Sequence, residues 1–517
     1  MKKIYTTSQI RSLDKFAIDK LKFPSILLME NAVYSICEIL EKHYHLSEEI
    51  KSFAIFVGKG NNGGDGITLA RKLVILGHKV TLYHLYQPIT FSPDARLNFE
   101  LLKKLKSSFP KLLIKKISGK EDVKTFEGCD FYVDAILGSG SDGNLKDVLR
   151  SLVETLNKIE CIKIAIDIPT GLNSETAYGE VVFNADLTVS LGGLKSSLYY
   201  SDGYLKSGII EEGSIGVPPS VYIKESNIRL LEKVDIKSLL PIKSKGINKY
   251  TSGKTFVIAG SGDYLGAPVL VSKAAMKTGS GAVLLAIPES LKFSIVSSFP
   301  EVVVKPYNDY HNEYLTGANV VELSNDIEHS DVVIIGPGLG RKVGTIEAVK
   351  LIISKFSDKN FVIDADALYA ISLIGIKNID LRKSILTPHI GEFAAILKLT
   401  AAEVNKNLLK YGKEFVLKTK SVLVLKGPRT LIFNPDGDIY ISPTGNDGMA
   451  KFGTGDLLSG MIGSLIAQGG TLLNSALAGV YLHGLCGDQL KEKFTSFSYT
   501  AGEIINEIPN SFKLVGV

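Results

Sequence analysis

At 517 residues, 45% of them hydrophobic and 22% charged, the chain exceeds one ordinary core and is expected to form two or three globular domains. A formal net charge of +5 is too mild for the dense basic stripe of a nucleic-acid-binding protein, and no stretch approaches the ~20 apolar residues that cross a bilayer. The four cysteines, Cys37, Cys129, Cys161 and Cys486, are scattered without CxxC or metal-ligand spacing, so disulfide staples and thiolate metal sites are not expected.

Met1–Ile10 carries two lysines and then turns polar, without the apolar run of a signal peptide; the default location is cytoplasmic. Thr7–Leu21 and Ser25–His43 read as helices. Ser52–Val57 reads as a strand that ends in the glycine-rich Gly58–Gly66, after which Ile67–Gly77 has helical spacing and Lys79–Tyr86 is again a strand. Phe131–Leu137, Lys163–Ile168 and Leu187–Leu191 continue the pattern, each followed by a turn rich in Gly, Pro, Asp or Ser. This is the alternation of an α/β parallel sheet. The paired prolines of Ile215–Ser220 mark a linker, since they continue neither a helix nor a central strand. A second α/β pattern starts at Thr255–Ala259, with strands at Val332–Ile335, Phe361–Ile363, Ser384–Leu386 and Val422–Leu425. Its motifs differ from those of the first half, so the two halves are not an internal repeat.

The turn from Gly58 to Gly66 reads GKGNNGGDG, between a strand and a helix. Glycines there let the backbone approach a ligand, and helix N-terminal amides favour an anion, although such a turn also arises where a chain merely reverses tightly. It is neither GxGxxG nor a Walker loop. Asp134 with Gly138–Asn144, then Asp167–Gly171, then Lys195 stand at further strand ends. In a doubly wound sheet these ends open on one crevice, where ligands bind; any single Asp among them has the plainer role of a turn cap.

NNGGDG, VDAILG and DIPTG together resemble the epimerase domain of bifunctional NAD(P)H-hydrate repair enzymes, over residues 1–217. The resemblance implies a Rossmann-like doubly wound domain and a potassium ion held by Asn62, Asp134 and Thr170. It also implies hydrate contacts from Asn61, Asn62, Gly63, Gly64, Asp65, from Gly138, Ser139, Gly140, Ser141, Asp142, Gly143, Asn144, and from Asp167. Thr170 stands where Ser is commoner and keeps the hydroxyl. Oxygen-only ligation suits a hard cation. The hydrate can lose hydroxide from C6 to an iminium and regain water on the other face, with Asp167 as acid–base group and cation stabiliser. Lys195 is a weaker candidate for a helper.

In the second half, Thr444–Asn446 and Gly453–Asp456 (GTGD) precede the apolar Leu457–Gln468. A GTGD turn opening a helix presents free amides to a transferring phosphoryl group, and Asp456 beside them is placed to take a proton from an attacking hydroxyl. An Asp in a first helical turn is also an ordinary cap. The helix N-terminus lowers its pKa while phosphates raise it, and the sequence leaves that balance open. Gly260–Pro268, Gly336–Gly340 (GPGLG), Asp364–Leu368 (DADAL), Thr387–Glu392 (TPHIGE) and Lys426–Thr430 (KGPRT) stand at other strand ends.

These motifs, with SPTGNDGMAKFGTGDLLSG, resemble the ADP- or ATP-dependent NAD(P)H-hydrate dehydratases of ribokinase-like fold, over residues 226–517. The resemblance implies hydrate contacts from Ala267, Gly338, His389 and Asp456, and nucleotide contacts from Lys426, Gly427, Pro428, Arg429, Thr430 and Gly455. Asp456 and Asp167 are the expected catalytic residues, with Mg2+ accompanying the nucleotide. Asn248–Lys249 and Pro428–Arg429 depart from the family pattern, which leaves nucleotide preference the least secure inheritance. The expected partners are the small molecules NADHX, NADPHX and ADP, with neither nucleic acid nor membrane, in a homo-oligomer. The rival reading is a ribokinase-like small-molecule kinase with a non-catalytic N-terminal binding module.

Overall fold

The computed structural model describes residues 1–123, 126, 128–223, 226–243, 246, 248, 252–296 and 300–517; of the positions singled out above, Lys249 lies outside the described residues. The chain divides into two compact units, Lys3–Ser226 and Met1–Lys2 with Asn227–Val517. The prolines of Ile215–Ser220 do not form a free connector: Ile215 and Val217 are buried in the core of the first unit. Among the described residues, no helix is long and apolar enough to cross a membrane.

In the first unit, the strands Ser52–Val57, Lys79–His84, Leu112–Lys116, Phe131–Ala135, Ile162–Ile166, Leu187–Leu191 and Ile209–Gly213 form one parallel sheet. Counted along the chain, their order across the sheet is third, second, first, fourth, fifth, sixth, seventh. The direction of winding therefore reverses between the first and fourth strands, and a crevice opens beyond their C-terminal ends. The central strands are buried along nearly their whole length and mostly apolar, because helices cover both faces. Helix Thr7–Asp19 is started by a capping box of Thr6 and Gln9 and buries Ile10, Leu13 and Ala17; Ser25–Tyr44 buries Leu28, Ala32, Val33, Ile36 and Leu40.

One boundary differs instructively from the sequence reading. The helix expected at Ile67 begins at Asn61, inside the glycine run, and ends at Ile75. Glycine is a poor helix former, but close packing leaves room for nothing larger. A Cβ on Gly63 would stand 2.2 Å from the Gly58 carbonyl oxygen, and one on Gly66 2.5 Å from the Ala135 Cβ.

The second unit is also built on a sheet. From Val422–Leu425 it runs in parallel through Ser384–Leu386, Asn360–Ile363, Val332–Ile335, Lys254–Ile258, Ala282–Pro288 and Val303–Tyr307. On the other side, the antiparallel strands Leu431–Phe433 and Ile439–Ile441 extend it, then Ile228–Leu230. Helix Thr454–Ala467 is buried from Leu457 onward and packs against Gly266–Thr278 and Leu472–Lys493. Gly460 permits that closeness, since a Cβ there would lie 2.3 Å from the Val271 carbonyl oxygen.

Candidate active sites

In the first unit, a cleft of about 500 Å³ lies at the point where the winding reverses. The start of the Asn61 helix supplies Asn61, Asn62 and Asp65, and the turn after Phe131–Ala135 supplies Gly138, Ser139, Gly140 and Ser141. Asp167 enters from the end of the next strand. Its backbone has φ +74°, a left-handed conformation that costs about 1–3 kcal/mol and persists only where the surroundings fix it. One carboxylate oxygen accepts from the Ser139 amide at 2.7 Å, and the other lies 2.6 Å from the Lys195 ammonium. Lys195 is 1% exposed and also donates to the Leu191 carbonyl at 2.7 Å, so it lies behind Asp167 and does not line the cleft.

Asp134 and Thr170 are fully buried beneath the cleft. The Thr170 hydroxyl and amide each donate to the Asp134 carboxylate at 2.7 Å, which pins the DIPTG turn to the neighbouring strand end. Burial outweighs these bonds and pushes Asp134 up to about 6. Asn62 is different: both polar atoms of its amide are buried without a hydrogen-bond partner among the described residues. Gly63 and Gly64 do not line the cleft; they pack against Gly58 and against Met29, which does. Asp142, Gly143 and Asn144 also fall outside it, in a turn where the Asn173 amide donates to the Asp142 carbonyl at 2.8 Å.

Charge in the cleft is unbalanced. Burial, then the Asp167 charge, holds the Asp65 carboxyl well above the usual carboxylate range. Asp14, from helix Thr7–Asp19, is pushed up to about 6 by burial against the pull of Lys195, although its side chain remains accessible through the cleft mouth. Arg11 of the same helix donates to the Ser139 carbonyl. The sequence reading did not single out Arg11 or Asp14, because charges beside the buried stripe of an amphipathic helix look like ordinary solvated ones.

In the second unit, Gly453 with φ +92° turns the chain into helix Thr454–Ala467, whose third residue is Asp456. Burial comes first, then the Asp364 charge, and together they push Asp456 up to about 7. The helix N-terminus does not prevail. Lys426 follows strand Val422–Leu425, and its ammonium donates to Asp364 at 2.8 Å; Asp364 also accepts from the Ser459 hydroxyl at 2.7 Å. Gly455 leaves the space beside Lys426 open, since a Cβ there would be 3.3 Å from the ammonium. Ala267 and Gly338 adjoin each other: a Cβ on Gly338 would stand 3.0 Å from that of Ala267.

His389 caps helix Ile390–Leu397, its Nδ1 accepting from the Gly391 and Glu392 amides at 3.0 and 3.3 Å, and its ring is accessible. Arg429 donates to the Pro443 carbonyl. Glu392, Ser459 and His483 belong to the same surroundings; the first two lie within motifs quoted from the sequence but were given no role there, and His483 was not singled out. His483 is half-buried in helix Leu472–Lys493, its buried Nε2 without a partner among the described residues, and desolvation pushes it down to about 4. A histidine in a long apolar helix gives no signal of that position.

Residues 25–197 match the family described as YjeF-related protein N-terminus, and residues 255–510 match that described as NAD(P)H-hydrate dehydratase. The bifunctional NAD(P)H-hydrate repair enzyme Nnr of Moorella thermoacetica is 33% identical over 98% of this chain and 96% of its own length. That of Dictyoglomus turgidum is 32% identical over 98% of each. Among solved structures, a ribokinase-like superfamily protein from Enterococcus faecalis superposes with TM-score 0.50 at 26% identity, covering 56% of this chain and 97% of that one.

Proposed function

The chain belongs to the family of bifunctional NAD(P)H-hydrate repair enzymes, and from that premise we propose which of its residues carry each reaction. One domain epimerises the hydrate and the other dehydrates it. We assign residues 1–217 to the epimerase and 226–517 to the dehydratase, and Asp167 and Asp456 as the respective catalytic residues.

In the epimerase cleft, the ring nitrogen of the hydrate expels the C6 hydroxyl, which leaves as water after taking a proton. The resulting iminium regains water on its opposite face and releases a proton. Asp167, fixed by the Lys195 ammonium and the Ser139 amide, faces the cation. Asp65, whose carboxyl is pushed toward the protonated form by burial in the same cleft, is placed to supply the departing proton. The strained backbone of Asp167 fits this role, since it fixes a carboxylate before substrate arrives.

The donor set around Asn62 fits a potassium ion. A buried amide without partners is costly, and a hard cation would complete the Asn62 carbonyl alongside Asp134 and Thr170, which offer only oxygen. When bound, such an ion supplies positive charge that steadies Asp134 and the substrate's anionic portion.

In the dehydratase site, Asp456 takes the proton of the C6 hydroxyl, whose oxygen then accepts a phosphoryl group from ADP, releasing AMP. The ring nitrogen expels phosphate, and loss of a C5 proton restores the dihydropyridine. Lys426 and the amides at Gly455 face the developing phosphoryl charge. Among the described residues, no three His, Cys, Asp or Glu side chains cluster to hold a metal. Mg2+ arriving with the nucleotide would be held in part by its phosphate oxygens and would neutralise phosphate charge during transfer. The observation that carries this reading is Asp456, raised to about 7 at the mouth of a helix whose amides point to the same place.

The test is an assay of the purified chain on a mixture of both hydrate epimers, with and without nucleotide. Both epimers are expected to be consumed and NADH absorbance recovered only with nucleotide. A stable phosphate ester in place of NADH would establish the kinase reading instead.

A further inference from the structure

Asp364 ends strand Asn360–Ile363 and is 1% exposed, yet its sequence motif gives no reason to bury a charge there. Both carboxylate oxygens are used, one by the Lys426 ammonium at 2.8 Å and the other by the Ser459 hydroxyl at 2.7 Å. The backbone is forced to make this possible. Ala365 has φ +47°, a left-handed conformation an L-residue adopts only under strain. Gly336 lies so close that a Cβ on it would stand 1.8 Å from the Asp364 carbonyl oxygen. The strained turn sends Asp364 under the GTGD helix and Asp366 the other way, to the Gly340 amide at 2.9 Å and the Arg341 guanidinium at 3.0 Å.

Asp456 contrasts with it. Among the described residues, its carboxylate makes no hydrogen bond or ion pair, although Lys426 is close enough to feel its charge. The charged groups around it are Asp364 and Asp366 from one strand end and Lys426 from the end of Val422–Leu425, two strands along, with Glu392 of helix Ile390–Leu397 acting on Lys426 and His389 on Glu392. His483, from helix Leu472–Lys493, is neutral at physiological pH. Lys426 is the one cation of this set besides the outward-held Arg341, and it has three carboxylates to choose from.

We propose that Asp364 is a positioning residue that captures the Lys426 ammonium, with Ser459 and the strained Ala365 turn holding it in place, so that Asp456 stays unpaired and free to accept the substrate's proton. This rests on the reading of Asp456 as the base. Without Asp364, Lys426 would swing to Asp456 and form the ion pair that quenches a base; a carboxylate beside an ammonium commonly titrates 1–3 units lower. The arrangement also keeps Lys426 oriented toward Gly455, where the phosphoryl group is expected.

The experiment reads the Asp456 carboxyl directly. The full chain, labelled with 13C at aspartate carboxyls and assigned against Asp456→Asn, is titrated as wild type, Asp364→Asn and Asp364→Asn/Lys426→Met. Asp456 is expected to titrate near pH 7 in the wild type and at least one unit lower in Asp364→Asn. In the double variant, with no ammonium left to capture, it should return toward the wild-type position. An unmoved or raised midpoint in Asp364→Asn would overturn the proposal, as would a double variant that stays low. Because removing the Asp364 charge by itself lowers Asp456, Ser459→Ala, which loosens Asp364 without changing any charge, is the deciding variant: it must lower the midpoint in the same direction, and no movement there overturns the proposal. Wild-type dehydration by Asp456→Asn would instead sink the assignment of the base and leave the titration result standing, so the two failures are distinguishable.

Discussion

Asp456 illustrates a side chain whose usefulness conflicts with stability. Its replacement by Asn should lower nucleotide-dependent NADH recovery by about 100- to 10,000-fold, the usual cost of losing a general base, and leave epimerisation intact. The same substitution should stabilise the protein, with a definite pH dependence. The folded carboxyl titrates at about 7 against an ordinary 3.8, so between those values the folded state binds a proton that the unfolded chain releases. Stability from this group is therefore full below pH ~4 and is lost as pH rises through 7. Asp456→Asn should melt higher than wild type at pH 8, with the gap closing at pH 4; a gap that widens on acidification would show that the carboxyl is not raised.

At the scale of elements, both sites depend on backbone approaching backbone at strand ends. The Asn61 helix starts within its glycine run because Gly63 lies against Gly58, and a methyl there has nowhere to go. Gly63→Ala should cost about 1–3 kcal/mol through overpacking and abolish epimerisation by shifting Asn62 and Asp65, while dehydration persists. Thermal unfolding followed beside the two assays checks this, and an unchanged epimerase rate would mean that the helix start tolerates the shift. Asp167 is a comparable case: losing it strands the buried Lys195 ammonium, at about 3–5 kcal/mol. Asp167→Asn should lose epimerisation and keep dehydration of the S hydrate, and adding Lys195→Met should recover melting temperature without recovering epimerisation. Loss of both activities in the folded double variant would contradict the two-site reading.

For the whole molecule, the separate cores of the two units predict separable chemistry, and the remaining choice is the nucleotide. ADP should support faster dehydration than ATP. Its β-phosphoryl group must reach Asp456 and the GTGD amides, and a site fitted to that reach crowds a third phosphate or misplaces the reacting atom, where ~1 Å can cost ~100-fold. Arg429 is the residue that would upset this, but its guanidinium is engaged with the Pro443 carbonyl. Rates with the two nucleotides at matched concentration decide the point, ATP equal or better refuting the preference.

The sequence by itself determined the α/β class, the family of each half and the turns that carry the chemistry, because glycine runs and strand-end acids are local signals set by backbone geometry. Strands such as Val332–Ile335, Ser384–Leu386 and Val422–Leu425 were legible to the residue, since a buried parallel strand needs an unbroken apolar run. What only the tertiary structure decided was which charges face one another. Arg11, on the same helix as Asp14, lies 128 positions before Ser139, and Asp364 meets Lys426 and Ser459 across separations of 62 and 95 residues. The Asp456 balance was undecidable from the chain for the same reason. A helix N-terminus is visible in sequence, but the burial and the Asp364 charge that outweigh it are made by residues brought together only on folding.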